Sequence, residues 1–143
     1  METRTRWAFI LDQDEFVRLS LNKILKKYGF RVEEIDDLSE LEKRKREVKE
    51  GVILADVEIE VLERWLPFVK KWGERFILIS PLITDEINLR LKKIGIRRIL
   101  KKPVEPRILR RMIRGISFPD GKKVEAEKRG ESYRFDQKGG EGA

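Results

Sequence analysis

The 143 residues include no cysteine and no histidine. The first absence excludes disulfides, thiolate nucleophiles and thiolate metal sites. The second excludes imidazole-activated nucleophiles, imidazole zinc sites and a histidine phosphodonor. Side-chain amides are scarce, with only Asn22, Asn88, Gln13 and Gln137, while 41% of the residues are charged. That balance leans towards a thermophile composition. No apolar run approaches the ~20 residues that span a bilayer. The run at 7–11 before Asp12 is too short for the core of a signal peptide. A cytoplasmic protein without a membrane partner is therefore expected. Its chemistry is left to carboxylates, hydroxyls and amines.

What is present fits one domain and a tail. Residues 7–11 form a short continuous apolar run ending in acid, as a buried parallel strand does. Asp14 predicts the cap of a helix over 15–28, with Phe16, Leu19, Leu21, Ile24, Leu25 and Tyr28 as its apolar face and Gly29 as its stop. A strand over 30–35 follows, then a highly charged helix over 38–49 anchored by Leu38, Leu41 and Val48. The apolar run 52–55 again ends in acid, at Asp56. Residues 59–72 suit a helix that Pro67 kinks or splits, with Trp65 and Trp72 as packing residues. A strand over 76–79 ends at Ser80, Thr84 caps a helix stopped by Gly95, a strand covers 96–100 and a last helix covers 105–114. No internal repeat is present.

Strands alternating with helices at this spacing predict an α/β fold: a flavodoxin-like, doubly wound, five-stranded parallel sheet of order 2-1-3-4-5 with helices on both faces. The domain is expected over 1–114. Residues 115–143 are polar and Gly-rich and read as a flexible tail, with Tyr133 and Phe135 as its anchors.

In such a sheet, ligands bind beyond the carboxyl ends of the strands, where the winding reverses between strands 1 and 3. Asp12 and Asp56 should face one another there, with Ser80 and Lys102 converging on the same edge. Two carboxylates suit a hard cation such as Mg²⁺. A hydroxyl and an ammonium suit a phosphoryl group, and an aspartate can itself accept phosphate as an acyl phosphate. A flavin reading lacks support, because Asp12-Gln13-Asp14-Glu15 repels phosphate unless a metal intervenes.

With these residues the sequence resembles the response-regulator receiver domains of two-component signalling. The resemblance is carried by Leu11-Asp12-Gln13-Asp14-Glu15, by Val52 to Val57 around Asp56, by Ile77-Leu78-Ile79-Ser80 and by Leu100-Lys101-Lys102-Pro103. It covers about residues 5–114. The resemblance implies that Asp56 is phosphorylated by a histidine kinase or phosphotransfer protein. It implies a Mg²⁺ site of Asp12, Asp56 and the main-chain carbonyl of Glu58. Ser80 and Lys102 would contact the phosphoryl oxygens, and the Lys102-Pro103 bond would be cis. Asp14 reads as a helix cap, and Glu58 equally as a metal neighbour or a solvated loop residue. Lys101 is a rival to Lys102, but Pro103 fixes the register in favour of Lys102.

The sequence also departs from that family. Gln13 stands where a second acid is usual, and the lost charge weakens Mg²⁺ binding although an amide oxygen can still coordinate. Glu60-Val61-Leu62-Glu63 replaces the usual Pro and Gly, Pro81 follows the switch hydroxyl, and Ile99 replaces the usual aromatic. Two readings follow. One is a single-domain phosphoacceptor in a Mg²⁺-dependent relay, whose output is docking and which has no enzymatic turnover beyond its own phosphate. The other is a degenerate receiver that binds a protein partner without phosphorylation.

The net charge of +7 is unevenly placed. Residues 90–114 carry eleven Lys and Arg against the single Glu105. Arg107, Arg110, Arg111 and Arg114 fall at i, i+3, i+4 and i+7, opposite Ile108, Leu109, Met112 and Ile113. In receiver domains the face of the fourth helix, fifth strand and fifth helix meets downstream proteins or a second copy. Here the stripe reads as a solvated face, a surface for an acidic protein, or, ranked last, a nucleic-acid surface, since no interleaved aromatics or known binding motif accompany it.

Overall fold

The computed structural model describes residues 6–118. Five strands, β1 (Arg6–Leu11), β2 (Phe30–Glu34), β3 (Val52–Ala55), β4 (Phe76–Ser80) and β5 (Arg98–Lys101), pair in parallel in the order β2-β1-β3-β4-β5. The helices are α1 (Glu15–Lys27), α2 (Lys45–Lys49), α3 (Ile59–Arg64), α4 (Leu66–Trp72), α5 (Asp85–Lys93) and α6 (Pro106–Arg114). The expected topology is the observed one. Among the described residues no helix is long and apolar enough to cross a membrane.

Alternation along the strands divides the core into two layers. Ala8, Ile10, Val52, Leu54, Ile77 and Ile79 face one side, where Leu21 and Leu25 of α1 and Leu109 and Ile113 of α6 cover them. Phe9, Leu11, Ile53, Ala55, Phe76 and Leu78 face the other, under Leu38, Leu41, Val48, Leu62, Val69, Trp72 and Leu91. Both faces of the central strands are thus buried, which is why those strands read as unbroken apolar runs. Asp14 and Thr84 cap α1 and α5 through the amides of Phe16 and Ile87. Gly29 and Gly95 turn the chain after those helices at positive φ, +84° and +91°.

Several elements differ from expectation for identifiable reasons. The charged helix expected over 38–49 is a 3₁₀ segment over Leu38–Arg44 followed by the short α2, because three apolar anchors give it too narrow an apolar face to hold regular turns against the sheet. The helix expected over 59–72 is split: Trp65 leaves helical geometry at φ −102°, ψ 25°, and Pro67 enters the first turn of α4. Phe16 and Leu19, expected in the core, are 80% and 58% exposed. The buried stripe of α1 is Val17, Leu21, Ile24 and Leu25, roughly 80–180° around the helix from them. The fifth strand begins at Arg98, two residues later than expected. The core also runs past Arg114, since Ile116 and Phe118 are buried against the layer that holds α6. The rest of the expected tail, with Tyr133 and Phe135, lies outside the described residues.

One buried cation had no counterpart in the sequence reading. Arg75 is 8% exposed and donates through one guanidinium nitrogen to the carbonyls of Val48 and Gly51. It fastens the end of α2 to the start of β3, and burial lowers its pKa.

Candidate functional site

The carboxyl ends of β1 and β3 carry Asp12 and Asp56, one residue beyond Leu11 and Ala55. The sheet ladder extends to the second of these, since the Asp56 amide donates to the Leu11 carbonyl at 2.8 Å. Lys102 follows β5, and its amide donates to the Ser80 carbonyl at 2.9 Å. Four chain segments thus fix these residues on one edge, as expected. The Lys102-Pro103 peptide is cis.

The Lys102 ammonium lies between the two carboxylates. Its Nζ donates to Asp56 Oδ2 at 2.6 Å and to Asp12 Oδ1 at 3.3 Å, and lies 3.0 Å from Asp12 Oδ2. Partial burial opposes its charge, but the hydrogen bonds and charges of Asp56 and Asp12 outweigh that, and its pKa is raised. Asp12 is 6% exposed. Its Oδ1 also accepts from the Asp14 amide at 2.8 Å, and Arg18 donates to its carbonyl at 2.8 Å while pairing with Glu34. Asp12 is therefore immobilised, whereas the Asp56 side chain remains 29% exposed and can be reached from solvent.

A crevice of about 750 Å³ opens beside this trio. Asp12, Asp56 and Lys102 lie in its wall, and Asp36, Arg64 and Trp65 line it too. Sequence reasoning placed Trp65 in packing only and missed both Arg18 and the loop after β2. No motif announces Arg18, whose role arises from the fold bringing α1 beside β2.

The remaining expected residues are placed differently. Ser80 sits at the correct edge, yet its hydroxyl donates to the Leu82 carbonyl at 2.9 Å and accepts from the Leu82 amide at 3.3 Å. The hydroxyl makes no hydrogen bond to Asp56 or Lys102. Gln13 is exposed, and its side chain has no hydrogen bond within the described residues. The Glu58 carbonyl accepts from the amides of Val61 at 3.0 Å and Leu62 at 3.3 Å. Helix α3 begins at Ile59 with Glu58 as its N-cap, so its first turn takes up that oxygen.

These placements bear on Mg²⁺. Asp12 Oδ2 is buried and receives no hydrogen bond, although the ammonium is within ion-pair distance. An orphaned carboxylate oxygen beside a second carboxylate fits a cation that takes one or two protein carboxylates and fills its shell with water and phosphate oxygens. Asp12 and Asp56 thus fit Mg²⁺. Among the described residues no group of three acidic side chains gathers round one point, so the fit rests on two.

No protein-family model matches the chain, and no curated protein matches it in sequence. Solved structures do match its fold. The chemotaxis protein CheY4 of Vibrio cholerae superposes with a TM-score of 0.61 at 20% identity, covering 76% of this chain and 95% of that one. A CheY-like response-regulator receiver domain of Methanospirillum hungatei gives 0.58 at 21% identity, covering 77% and 91%. A pilus assembly-related protein of Burkholderia pseudomallei gives 0.58 at 16% identity, covering 75% and 88%. At these identities the likeness is one of fold. The chain has the CheY-like fold of response-regulator receiver domains, a five-stranded parallel sheet in the order 2-1-3-4-5.

Proposed function

We propose that this chain is a receiver-type signalling module that accepts a phosphoryl group on Asp56 and passes its state on by docking to another protein. The observation that carries this reading is the trio at the sheet edge. An accessible carboxylate lies 2.6 Å from an ammonium, and a fixed, buried carboxylate lies on the ammonium's other side.

In the proposed step a carboxylate oxygen of Asp56 attacks the phosphorus of a donor, a phosphohistidine of a kinase or phosphotransfer protein or a small acyl phosphate. The new bond is the acyl phosphate P–O. The bond broken is P–N or P–O on the donor, and the leaving group takes a proton from solvent. Lys102 holds a positive charge where the phosphoryl oxygens arrive. Arg18 and the Asp14 amide keep Asp12 from turning away. Ser80 joins the phosphoryl group only after leaving its turn with Leu82. Asp12 and Asp56 would hold the Mg²⁺, which when bound supplies positive charge against the phosphoryl oxygens. The protein is cytoplasmic in this reading and is an acceptor of phosphate, not a catalyst of small-molecule turnover.

Incubation with acetyl phosphate and Mg²⁺ followed by intact-mass measurement tests the proposal. An adduct of about 80 Da is expected in the wild type and not in Asp56→Ala. No adduct, or an equal one in the variant, overturns it. A second reading, a partner-binding module independent of phosphate, is favoured by the committed Glu58 carbonyl, the free Gln13 and the Ser80 hydroxyl bonded to Leu82. Absence of both adduct and saturable Mg²⁺ binding selects it.

A further inference from the structure

The crevice beside the trio is larger than a phosphoryl group on Asp56 requires. At about 30 Å³ for each water-sized group, a phosphoryl group and a cation with three or four waters take roughly 200 Å³. The crevice holds about 750 Å³, a size typical of small-molecule sites. It opens over the ends of β1 and β3, the switch point of the sheet, between two banks of different character. Val61 and Trp65, at i and i+4, line one bank from α3 and its C-cap. Trp65 is half-buried and braced by Phe68, with ring centroids 5.4 Å apart. The loop after β2 forms the other bank. There the Asp37 carboxylate is taken up by the Ser39 amide at 2.8 Å. Asp36 gives only its amide, to Glu40 at 2.7 Å, and its exposed carboxylate makes no hydrogen bond or ion pair among the described residues.

We propose that this crevice binds a nucleoside diphosphate as its Mg²⁺ complex, with the phosphates towards Lys102 and the Asp12–Asp56 pair, the base on Trp65 and the ribose hydroxyls on Asp36. Each part answers one chemistry. Mg²⁺ is held by one or two carboxylates together with phosphate oxygens of a ligand, and Asp12 offers a buried oxygen that no hydrogen bond satisfies. The Lys102 ammonium is a point charge for a phosphate. An indole stacks on any base, since every base has a π-face. In dinucleotide-binding doubly wound sheets an acid roughly 20 residues after the first strand–helix turn bonds a ribose hydroxyl, and Asp36 follows the turn at 12–14 by a similar length. Carboxylates outnumber cations round the crevice, which repels a bare polyphosphate and makes the metal complex the form that binds. The binding involves no phosphoryl transfer, so it succeeds or fails independently of phosphorylation at Asp56.

Isothermal titration calorimetry of the full chain tests this with ADP, GDP, 2′-deoxy-ADP, pyrophosphate and adenosine, each with MgCl₂, and with ADP in EDTA. ADP or GDP is expected to bind saturably with a Kd below about 1 mM. Pyrophosphate lacks the base and adenosine lacks the phosphates, so each should bind at least about tenfold more weakly. EDTA should weaken ADP by about tenfold or more. Trp65→Ala should weaken ADP about tenfold while leaving pyrophosphate within about twofold. Asp36→Ala should abolish the preference for ADP over 2′-deoxy-ADP, because the acceptor for the ribose hydroxyl is gone. The comparison of ADP with pyrophosphate uses the unaltered chain and decides the matter where Trp65→Ala does not fold. No saturable nucleotide binding, pyrophosphate or adenosine binding as tightly as ADP, or binding undiminished by EDTA would each overturn the proposal. So would equal loss of ADP and pyrophosphate in Trp65→Ala, or a ribose preference unchanged in Asp36→Ala.

Discussion

Replacing Gln13 with Asp restores a third carboxylate to the sheet edge and should strengthen Mg²⁺ binding by a calculable amount. Gln13 is exposed and makes no side-chain hydrogen bond within the described residues, so the exchange breaks nothing and the new charge acts through water. Two unit charges 4 Å apart in water attract by about 1 kcal/mol, and a divalent ion doubles that to about 2 kcal/mol. Each 1.4 kcal/mol is tenfold, giving roughly 30-fold at low salt and about tenfold once physiological salt screens the pair. Trp65 lines the crevice, so its fluorescence can report a MgCl₂ titration of chelator-treated protein, with Trp65→Phe identifying the signal. Asp12→Asn in the same background should abolish the gain, because Asp12 supplies the buried carboxylate oxygen that no hydrogen bond satisfies. A gain below about threefold, or one that survives Asp12→Asn, would refute the reasoning.

Three further outcomes follow from contacts described above. Arg75→Met deprives the carbonyls of Val48 and Gly51 of a buried charged donor and should cost about 2–3 kcal/mol in a urea titration, with Tm falling by about 10 °C. A loss under 0.5 kcal/mol, roughly the level of an ordinary surface change, would contradict it. Gly51→Ala would place a methyl 2.7 Å from the Trp7 carbonyl oxygen and 2.9 Å from that of Glu47. Both obstacles are backbone, so about 1–3 kcal/mol should be lost, and an unchanged urea midpoint would disprove the clash. Lys102 has a raised pKa in the fold, so its stabilisation is present in full below its ordinary value of 10.5 and is lost as pH rises through the folded value. In metal-free buffer the stability gap between wild type and Lys102→Met should close as pH rises above the ordinary lysine value of 10.5; a constant gap would refute it.

The topology and the positions of Asp12, Asp56, Ser80 and Lys102 were legible because strand ends are marked by a change from apolar to polar residue, and parallel order brings those ends to one edge. Side-chain direction was not legible. Phe16 and Leu19 share a helical spacing with true core residues, and only the choice of Val17 over Phe16 sets the rotation of α1. The helix bonds taken by the Glu58 carbonyl were not legible, because they depend on where α3 starts, a matter of two residues. Ser80 was placed correctly in space, but a hydroxyl followed by Pro81 has a local partner at Leu82 that position alone does not reveal. Arg75 and Arg18 left no signal at all, since a cation next to an apolar run looks the same whether it faces water or a buried carbonyl.

The Asp56 amide is the last rung of a ladder bond to β1, and α3 starts at Ile59. Only Val57 and Glu58 stand between a clamped strand and a formed helix, so the main chain under the carboxylate has no slack. A reagent or partner reaching that carboxylate meets a stiff mount whose amide should exchange with deuterium as slowly as its core neighbours. Motion away from the spot is then confined to side chains. Any rearrangement at this edge therefore begins with the Ser80 hydroxyl leaving Leu82 and the Lys102 ammonium leaving its two carboxylates, and the strand beneath stays in place.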